Sequence, residues 1–288
     1  MNSDKNKKKK VAVVTGSSSG IGLETSLLLA RNGFYTYATM RNLDKSKVIS
    51  NLKQKEKLSL EILQLDVNND ESVKEAIQMI TNERERIDVL VNNAGYALVG
   101  PFEELSIGEF KEQFETNVFG VIRVTQAVLP IMRSKRNGVI VNISSIAGKI
   151  GFPLTSAYVS SKFDLEGLSE SIAYEIEQFG IKIILIEPGV IKTNFNNNIK
   201  VGKRVTIDTN SPYGEMTQKR TSRFKPRFES GTCPIEVAKV ILKTITSIEN
   251  QSSSVVRFLV GNDALKLMEI RNNMSDKDFR KIVIKGVL

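Results

Sequence analysis

Tyr158 and Lys162 stand four residues apart in the run Tyr158-Val159-Ser160-Ser161-Lys162. On a helix that spacing puts both side chains on one face, with Cβ atoms about 5–6 Å apart. A phenol titrates near pH ~10 and is a poor base at neutral pH. A neighbouring ammonium favours the phenolate and lowers that value, so the pair can give and take a proton. The spacing alone is common on helical faces, and its company gives it meaning. Ser145 ends an apolar run thirteen residues before Tyr158 and offers a hydroxyl that could hydrogen-bond a substrate oxygen. Asn117 falls inside a long predicted helix, where an amide is mildly unfavourable. It is either part of the same chemistry or a buried amide tying helix to sheet. Asn117, Ser145, Tyr158 and Lys162 are therefore the catalytic candidates.

The chain has 288 residues, no histidine and no tryptophan. Without histidine there is no Ser-His-Asp triad, no Cys-His dyad and no His-ligated zinc, and no metal is expected. Cys233 is the one cysteine, so no intramolecular disulfide is possible. That suits a reducing, cytoplasmic setting, and nothing nearby calls for a thiolate. The net charge is +9, of which +4 lies in residues 1–10. This basic head reads as a flexible, solvated tail, and contact with an anionic membrane or nucleic acid is the alternative. Val11–Val14 is too short for a signal peptide, and no uninterrupted apolar run of about 18 residues predicts a membrane span.

Short Val- and Ile-rich runs alternate with longer helical stretches. Strands are predicted at Val11–Val14, Phe34–Met40, Leu60–Leu65, Val89–Asn92, Val139–Ile143, Lys182–Ile186 and Val256–Val260. Helices are predicted at Ile21–Asn32, Asp70–Arg84, Ser106–Arg133, Leu154–Phe179 and Pro234–Ser247. Such alternation predicts an α/β fold: a doubly wound parallel sheet covered on both faces, in a single domain over 11–288. One segment, 194–229, lacks a clear period and carries a charge of +5, as an irregular insertion would.

Between the first strand and helix lies Thr15-Gly16-Ser17-Ser18-Ser19-Gly20-Ile21-Gly22. Glycines there let the backbone approach a pyrophosphate, and the helix N-terminus adds free N–H groups and a positive dipole end. Gly16, Ser18, Ser19, Gly20, Ile21 and Gly22 are the candidates for that contact. The second strand ends in Met40-Arg41, where an acidic residue would bind the ribose 2′-hydroxyl of NAD. An arginine pairs with a 2′-phosphate instead, so NADP is favoured over NAD. Asp66, followed by Val67, closes the third strand and either accepts from the adenine amino group or caps a loop.

Together these residues resemble the classical short-chain dehydrogenase/reductase family. The resemblance runs from Val11 to about Val260 and rests on seven motifs in order. They are the glycine turn, Asn92-Asn93-Ala94-Gly95, Asn117, Ser145, Tyr158-x-x-x-Lys162, Pro188-Gly189 and Thr193. Tyr37-Ala38-Thr39-Met40-Arg41 further resembles the 17β-hydroxysteroid and retinol dehydrogenase branch. The resemblance implies a Rossmann fold and an enzyme that transfers hydride between NADP and a secondary alcohol or carbonyl. It implies Tyr158 as general acid and base, with Lys162 lowering its pKa and holding the nicotinamide ribose. Ser145 would steady the carbonyl oxygen, and Asn117 would anchor a water relaying protons to Lys162. Asn93, Ala94 and Gly95 would line the adenosine–ribose groove. The backbone of Pro188, Gly189 and Val190, with Thr193, would hold the carboxamide.

Residues 194–229 fall where the family carries its substrate lid, and Phe195, Tyr213, Met216, Phe224 and Phe228 suit a cover over an apolar pocket. The tail, 261–288, is expected to cover the sheet edge or to meet a neighbouring subunit. A small carbonyl or alcohol substrate and a homo-oligomer are expected. A catalytically silent NADP-binding regulator is the alternative, but relatives of that kind would be expected to lose Tyr158 or Lys162. A nucleic-acid binder lacks a basic motif with interleaved aromatics.

Overall fold

The computed structural model describes residues 9–193, 198–205, 211–248 and 255–287. Lys5, Lys7 and Lys8 of the basic head, and Asn194 and Phe195 of the expected lid, lie outside the described residues.

Seven strands form one parallel sheet: β1 (Val11–Val14), β2 (Tyr35–Met40), β3 (Leu60–Gln64), β4 (Val89–Asn92), β6 (Gly138–Ile143), β7 (Ile181–Pro188) and β9 (Val255–Val260). Their order is β3-β2-β1-β4-β6-β7-β9. The chain builds outward from β1 to β3, then returns beside β1 and builds the other way. The reversal opens a crevice beyond the carboxyl ends of β1 and β4, where doubly wound sheets bind ligands. Two further strands, β5 (Ala97–Val99) and β8 (Ile199–Val201), pair in parallel outside this sheet. All seven strands predicted from the sequence are present in the large sheet.

Period-2 alternation divides the core. Val11 and Val13 point to one face, packed with α3 (Asp70–Arg84), α5 (Gly120–Lys135) and α6 (Ser156–Ile176) through Ile77, Ile80, Val124, Val128 and Ala173. Ala12 and Val14 point to the other, packed with α1 (Gly20–Arg31) and α8 (Pro234–Ser247) through Leu29, Val237 and Ile241. Each fully buried aliphatic side chain contributes about 1.5–3 kcal/mol. Ile140, in the middle of the sheet, is wholly buried; cutting it to alanine would cost about 2–5 kcal/mol.

Three elements differ from the sequence expectation. The helix expected over Ser106–Arg133 is two helices, α4 (Ile107–Phe114) and α5, joined by a π-helical turn at Glu115–Phe119. Ser106 starts α4 with a capping box, its hydroxyl accepting from the Glu109 N–H. A π turn breaks no apolar period visibly, so the sequence hides it. Second, the 194–229 segment is not irregular throughout: α7 (Gly214–Glu229) fills nearly half of it. Among the described side chains of α7 the buried positions are Gly214, Thr217 and Arg220, and none of these is a large apolar residue for a periodicity reading to find. Third, α2 (Lys47–Glu56) was not anticipated; it buries only Ile49.

The tail forms α9 (Asn262–Asn272) and α10 (Asp276–Val287). Ala264, Leu267, Met268 and Phe279 pack on Leu259 of the edge strand β9 and on Ile146 and Ile150 beyond β6. The tail thus covers the end of the sheet edge and also reaches the crevice.

Candidate active site

One cavity of about 1410 Å³ occupies the crevice. That exceeds the ~300–1,000 Å³ usual for a single small ligand, and leaves space for a dinucleotide beside a substrate.

The glycine turn forms one end. Gly16 has φ +68°, and a Cβ on it would meet the Ala94 Cα at 2.9 Å. A Cβ on Gly22 would lie 2.4 Å from Asn93 Nδ2 and 2.5 Å from the Gly16 carbonyl oxygen. Asn93 locks the turn by donating from Nδ2 to the Thr15 and Gly16 carbonyls at 2.8 and 3.1 Å. The Thr15 hydroxyl accepts from the N–H groups of Asn93 and Ala94, each at 3.0 Å. Gly16, Ser18, Ser19, Gly20 and Ile21 line the cavity, whereas Gly22 lies beneath the turn and supports it. Ser19 is the N-cap of α1 in extended conformation and makes no side-chain cap, leaving the helix N-terminal N–H groups toward the cavity. The cradle fits a pyrophosphate.

Arg41 lines the cavity at the end of β2, exposed, with Lys45 beside it. Lys45 is a second cation that sequence reading missed, because it sits in a short 3₁₀ turn. Asp66 and Val67 also line the wall. Asp66 accepts from the Asn68 N–H at 3.0 Å, so it caps its loop while facing the cavity. Asn93, Ala94 and Gly95 complete this side.

Ser145, Tyr158 and Lys162 converge at the carboxyl end of β6. Lys162 is buried and donates from Nζ to the Ile143 carbonyl at 2.7 Å. Burial pulls its pKa down to about 8, while Glu166, one turn along α6, opposes that fall. Its Nζ lies 5.8 Å from the centre of the Tyr158 ring. Burial pushes the Tyr158 phenol up, and a hydrogen bond with Ser145 pulls it back down. Desolvation is the larger influence on this phenol, and the Ser145 hydrogen bond opposes it. Ser145 Oγ accepts from the Ala147 N–H at 3.1 Å, which fixes its position.

Asn117 is 1% exposed and does not line the cavity. Its Oδ1 accepts from the Tyr96 N–H at 3.1 Å, and Nδ2 donates to the Tyr96 carbonyl at 3.0 Å and to Ser161 Oγ at 3.2 Å. The π turn presents it, and it ties the loop after β4 to α6. Pro188, Gly189, Val190 and Thr193 line the wall beyond β7. Thr193 stands over Gly20, since a Cβ there would meet its side chain at 3.2 Å.

The cavity draws its lining from segments spread along the chain, and the sequence pattern of short chain dehydrogenases matches residues 10–204. The chain belongs to the short-chain dehydrogenase/reductase family. An uncharacterized oxidoreductase of Schizosaccharomyces pombe is 35% identical over 240 residues, covering 83% of this chain and 96% of that one. Retinol dehydrogenase 8 of Bos taurus is 38% identical over 252 residues, covering 83% and 78%. A solved short-chain dehydrogenase from Streptomyces avermitilis superposes with a TM-score of 0.79 at 31% identity, covering 96% and 97%. An alcohol dehydrogenase of the archaeon Thermococcus sibiricus, complexed with 5-hydroxy-NADP, superposes at 0.70 and 26% identity, covering 88% and 97%. As a short-chain dehydrogenase/reductase, the protein is an NAD(P)-dependent oxidoreductase.

Other parts of this dehydrogenase site were not legible in the sequence. Asn262, Asp263, Ala264, Leu267 and Ile270 bring the tail into the cavity wall. Asp263 follows the end of a strand by three residues, the one signal that could have found it. Arg220 of α7 lines the wall at 8% exposure, and burial pulls its pKa down to about 10. Behind Lys162, Glu166 and Glu187 are both buried. Arg257 donates to Glu166 at 3.0 Å, and Lys149 lies 4.0 Å from Glu187. Burial and the charge of Glu166 push Glu187 up to about 7. Among the described residues no helix is long and apolar enough to cross a membrane.

Proposed function

We propose that this enzyme uses NADP to interconvert a secondary alcohol and a ketone or aldehyde, with Tyr158 as general acid and base. The observation that carries the reading is the meeting of Ser145, Tyr158 and Lys162 with the glycine cradle in one cavity. Bound nicotinamide supplies or accepts the hydride. In reduction Tyr158 Oη gives its proton to the carbonyl oxygen, and in oxidation it takes one back. Ser145, already bonded to the phenol, steadies the same oxygen and the phenolate. Lys162, held by the Ile143 carbonyl, brings a cation beside the ring and holds the nicotinamide ribose. Asn117 Oδ1 keeps a second lone pair beside its bond to Tyr96, the acceptor that a relay water toward Lys162 would use.

Arg41 and Lys45 at the 2′ end support preference for NADP over NAD. Phe152, Leu267 and Ile270 support an apolar substrate. We read residues 11–288 as one domain, with 194–229 as the substrate lid and 261–288 as an extension that completes the pocket. Exposed Phe163 and Tyr174 on α6 support a homo-oligomer. The single free Cys233 suits a cytoplasmic setting. The test is titration with NADPH and NADH followed by nicotinamide fluorescence, then a carbonyl panel scored by loss of NADPH absorbance. Tight NADPH binding and turnover are expected, and failure to bind either cofactor overturns the reading.

A further inference from the structure

Glu166 and Glu187 lie behind Lys162, and the reaction as described so far uses neither. Glu166 follows Lys162 by one turn of α6, which puts the two on one helical face. Glu187 stands opposite on β7. Both carboxyls are buried, at 6% and 2% exposure. A Cβ on Gly148 would fall 3.0 Å from Glu166 Cγ and 3.0 Å from the Lys162 carbonyl oxygen. A bare backbone thus makes room for Glu166 against the lysine's own turn.

Two cations reach this pair, and neither satisfies it. Arg257 of β9 donates from Nε to Glu166 Oε2 at 3.0 Å and from Nη2 to Glu170 at 2.7 Å, while Glu187 Oε1 stays 3.8 Å from Nε. Lys149 Nζ stands 3.8 Å from Glu166 and 4.0 Å from Glu187, beyond hydrogen-bond reach. Among the described residues no N–H or O–H group donates to Oε1 of either carboxyl. The two carboxyls meet each other instead. Two ionised carboxylates have no donor to share, and a proton on one of them supplies it. Glu187 is the holder, because the Arg257 hydrogen bond favours the ionised form of Glu166. Burial and the charge of Glu166 push Glu187 up to about 7.

The pair bears on Lys162. Burial pulls the lysine down to about 8, and Glu166 favours its ammonium. Without its charge Lys162 no longer favours the Tyr158 phenolate. As pH rises through 7, Glu187 passes its proton to solvent, and the pair goes from one negative charge to two. The second charge arrives just below the pH at which the lysine would lose its own proton. We propose that Glu166 and Glu187 share one proton behind Lys162 and act as positioning residues that keep its ammonium charged as pH rises. This rests on the role given to Lys162 above. Lys149, Arg257, Glu170 and Lys162 are the charged groups facing the pair.

Two measurements on the full chain, without cofactor or substrate, test it. The first is infrared difference spectroscopy from about pH 5 to about pH 9. Wild type should show the C=O band of a protonated carboxyl that disappears with a midpoint near 7. Glu187→Gln should abolish the band, and Glu166→Gln should lower its midpoint by about one pH unit or more. The second is labelling with acetic anhydride as a function of pH, read by mass spectrometry at Lys162, which lines the cavity that the reagent enters. Both variants should lower the pH at which this amine becomes reactive by about half a pH unit or more, Glu166→Gln the further. Thermal melting confirms that the variants fold. Absence of the wild-type band, which needs no variant, overturns the proposal. A midpoint unmoved in Glu166→Gln means that burial alone holds the proton, and also overturns it. So does a Lys162 profile that neither variant shifts, since the pair would then serve only the fold. Failure to bind NADPH or NADH would leave both measurements unchanged, so the function reading and this one fail separately.

Discussion

The two ends of the cavity are built by different means. At the glycine turn the wall is backbone, set by close approach of Gly16 and Gly22 to Asn93 and Ala94 and by hydrogen bonds through Thr15. At α7 and the tail the wall is held by side chains, apolar ones beneath α9 and α10 and long exposed arginines on α7. Arg223 of α7 donates to the Lys285 carbonyl at 2.9 Å, and Arg227 to the Gly286 carbonyl at 2.5 Å. The first end has one shape that most changes would destroy. The second can change residue by residue, as a substrate side must if one fold is to serve many substrates.

Tyr158 stands where the two ends meet, and its removal separates them most sharply. Tyr158→Phe should lower turnover by about 10²–10⁴-fold, because only the proton donor is lost. NADPH affinity should stay within twofold or so. Retained turnover would remove Tyr158 from the mechanism.

The rigidity of the turn is tested by Gly22→Ala. The new methyl must displace backbone and the Asn93 amide, and overpacking of that kind costs about 1–3 kcal/mol. A fall of several degrees in Tm is expected, together with weakened NADPH binding. A variant that melts and binds like wild type would show that the turn yields, and the contrast with α7 and the tail would collapse. Arg41→Asp acts at the same end without touching the fold, since Arg41 is exposed. It should shift the ratio of NADPH to NADH affinity by about 10–100-fold at unchanged Tm. An unmoved ratio would transfer the 2′-phosphate to Lys45.

That contrast also explains what the sequence made legible. The seven strands could be read because buried parallel strands are continuous apolar runs, as in Val89–Asn92. Tyr158, Lys162 and Ser145 stood out as candidates because the chemistry proposed for them would fix both residue type and spacing. α7 escaped because its buried positions among the described side chains include Thr217 and Arg220, and Asp263 because a place three residues past a strand is too common a signal to single out one carboxylate. Asn117 stood out as a polar residue inside a helix, but its π turn did not, since the turn changes hydrogen bonding without changing residue type. Backbone-built sites leave glycine signatures, whereas sites built from scattered side chains leave none until the fold assembles them.

Between the two ends, behind Lys162, the Glu187 carboxyl gives a pH test. Its pKa in the folded chain, about 7, lies above its ordinary value. The folded protein therefore holds this proton more tightly than the unfolded chain. The stability that the group contributes is present at low pH and is lost as pH rises toward and through 7. Lys149, Arg257 and Glu166 are the charged groups facing it, and all remain in Glu187→Gln. The variant cannot titrate, so its Tm should improve relative to wild type by a few degrees between pH 5 and pH 8. A difference that stays flat across that range would mean that the folded chain does not hold this proton more tightly than the unfolded one.

The smallest effect belongs to α7. Arg223 reaches from α7 to the last turn of α10 and satisfies a carbonyl that the helix itself leaves open. Both partners are exposed, and an exposed contact of this kind is worth roughly 0–1 kcal/mol. Arg223→Ala should therefore leave Tm within a degree or two, in contrast to Gly22→Ala. What it should change is the position of α7 over the pocket, raising KM for the carbonyl substrate about two- to threefold at nearly constant KM for NADPH. A rise in KM for NADPH as well would mean that α7 and the cradle move together. The difference between a backbone-built end and a side-chain-built end would then describe how the cavity is assembled and not how it works.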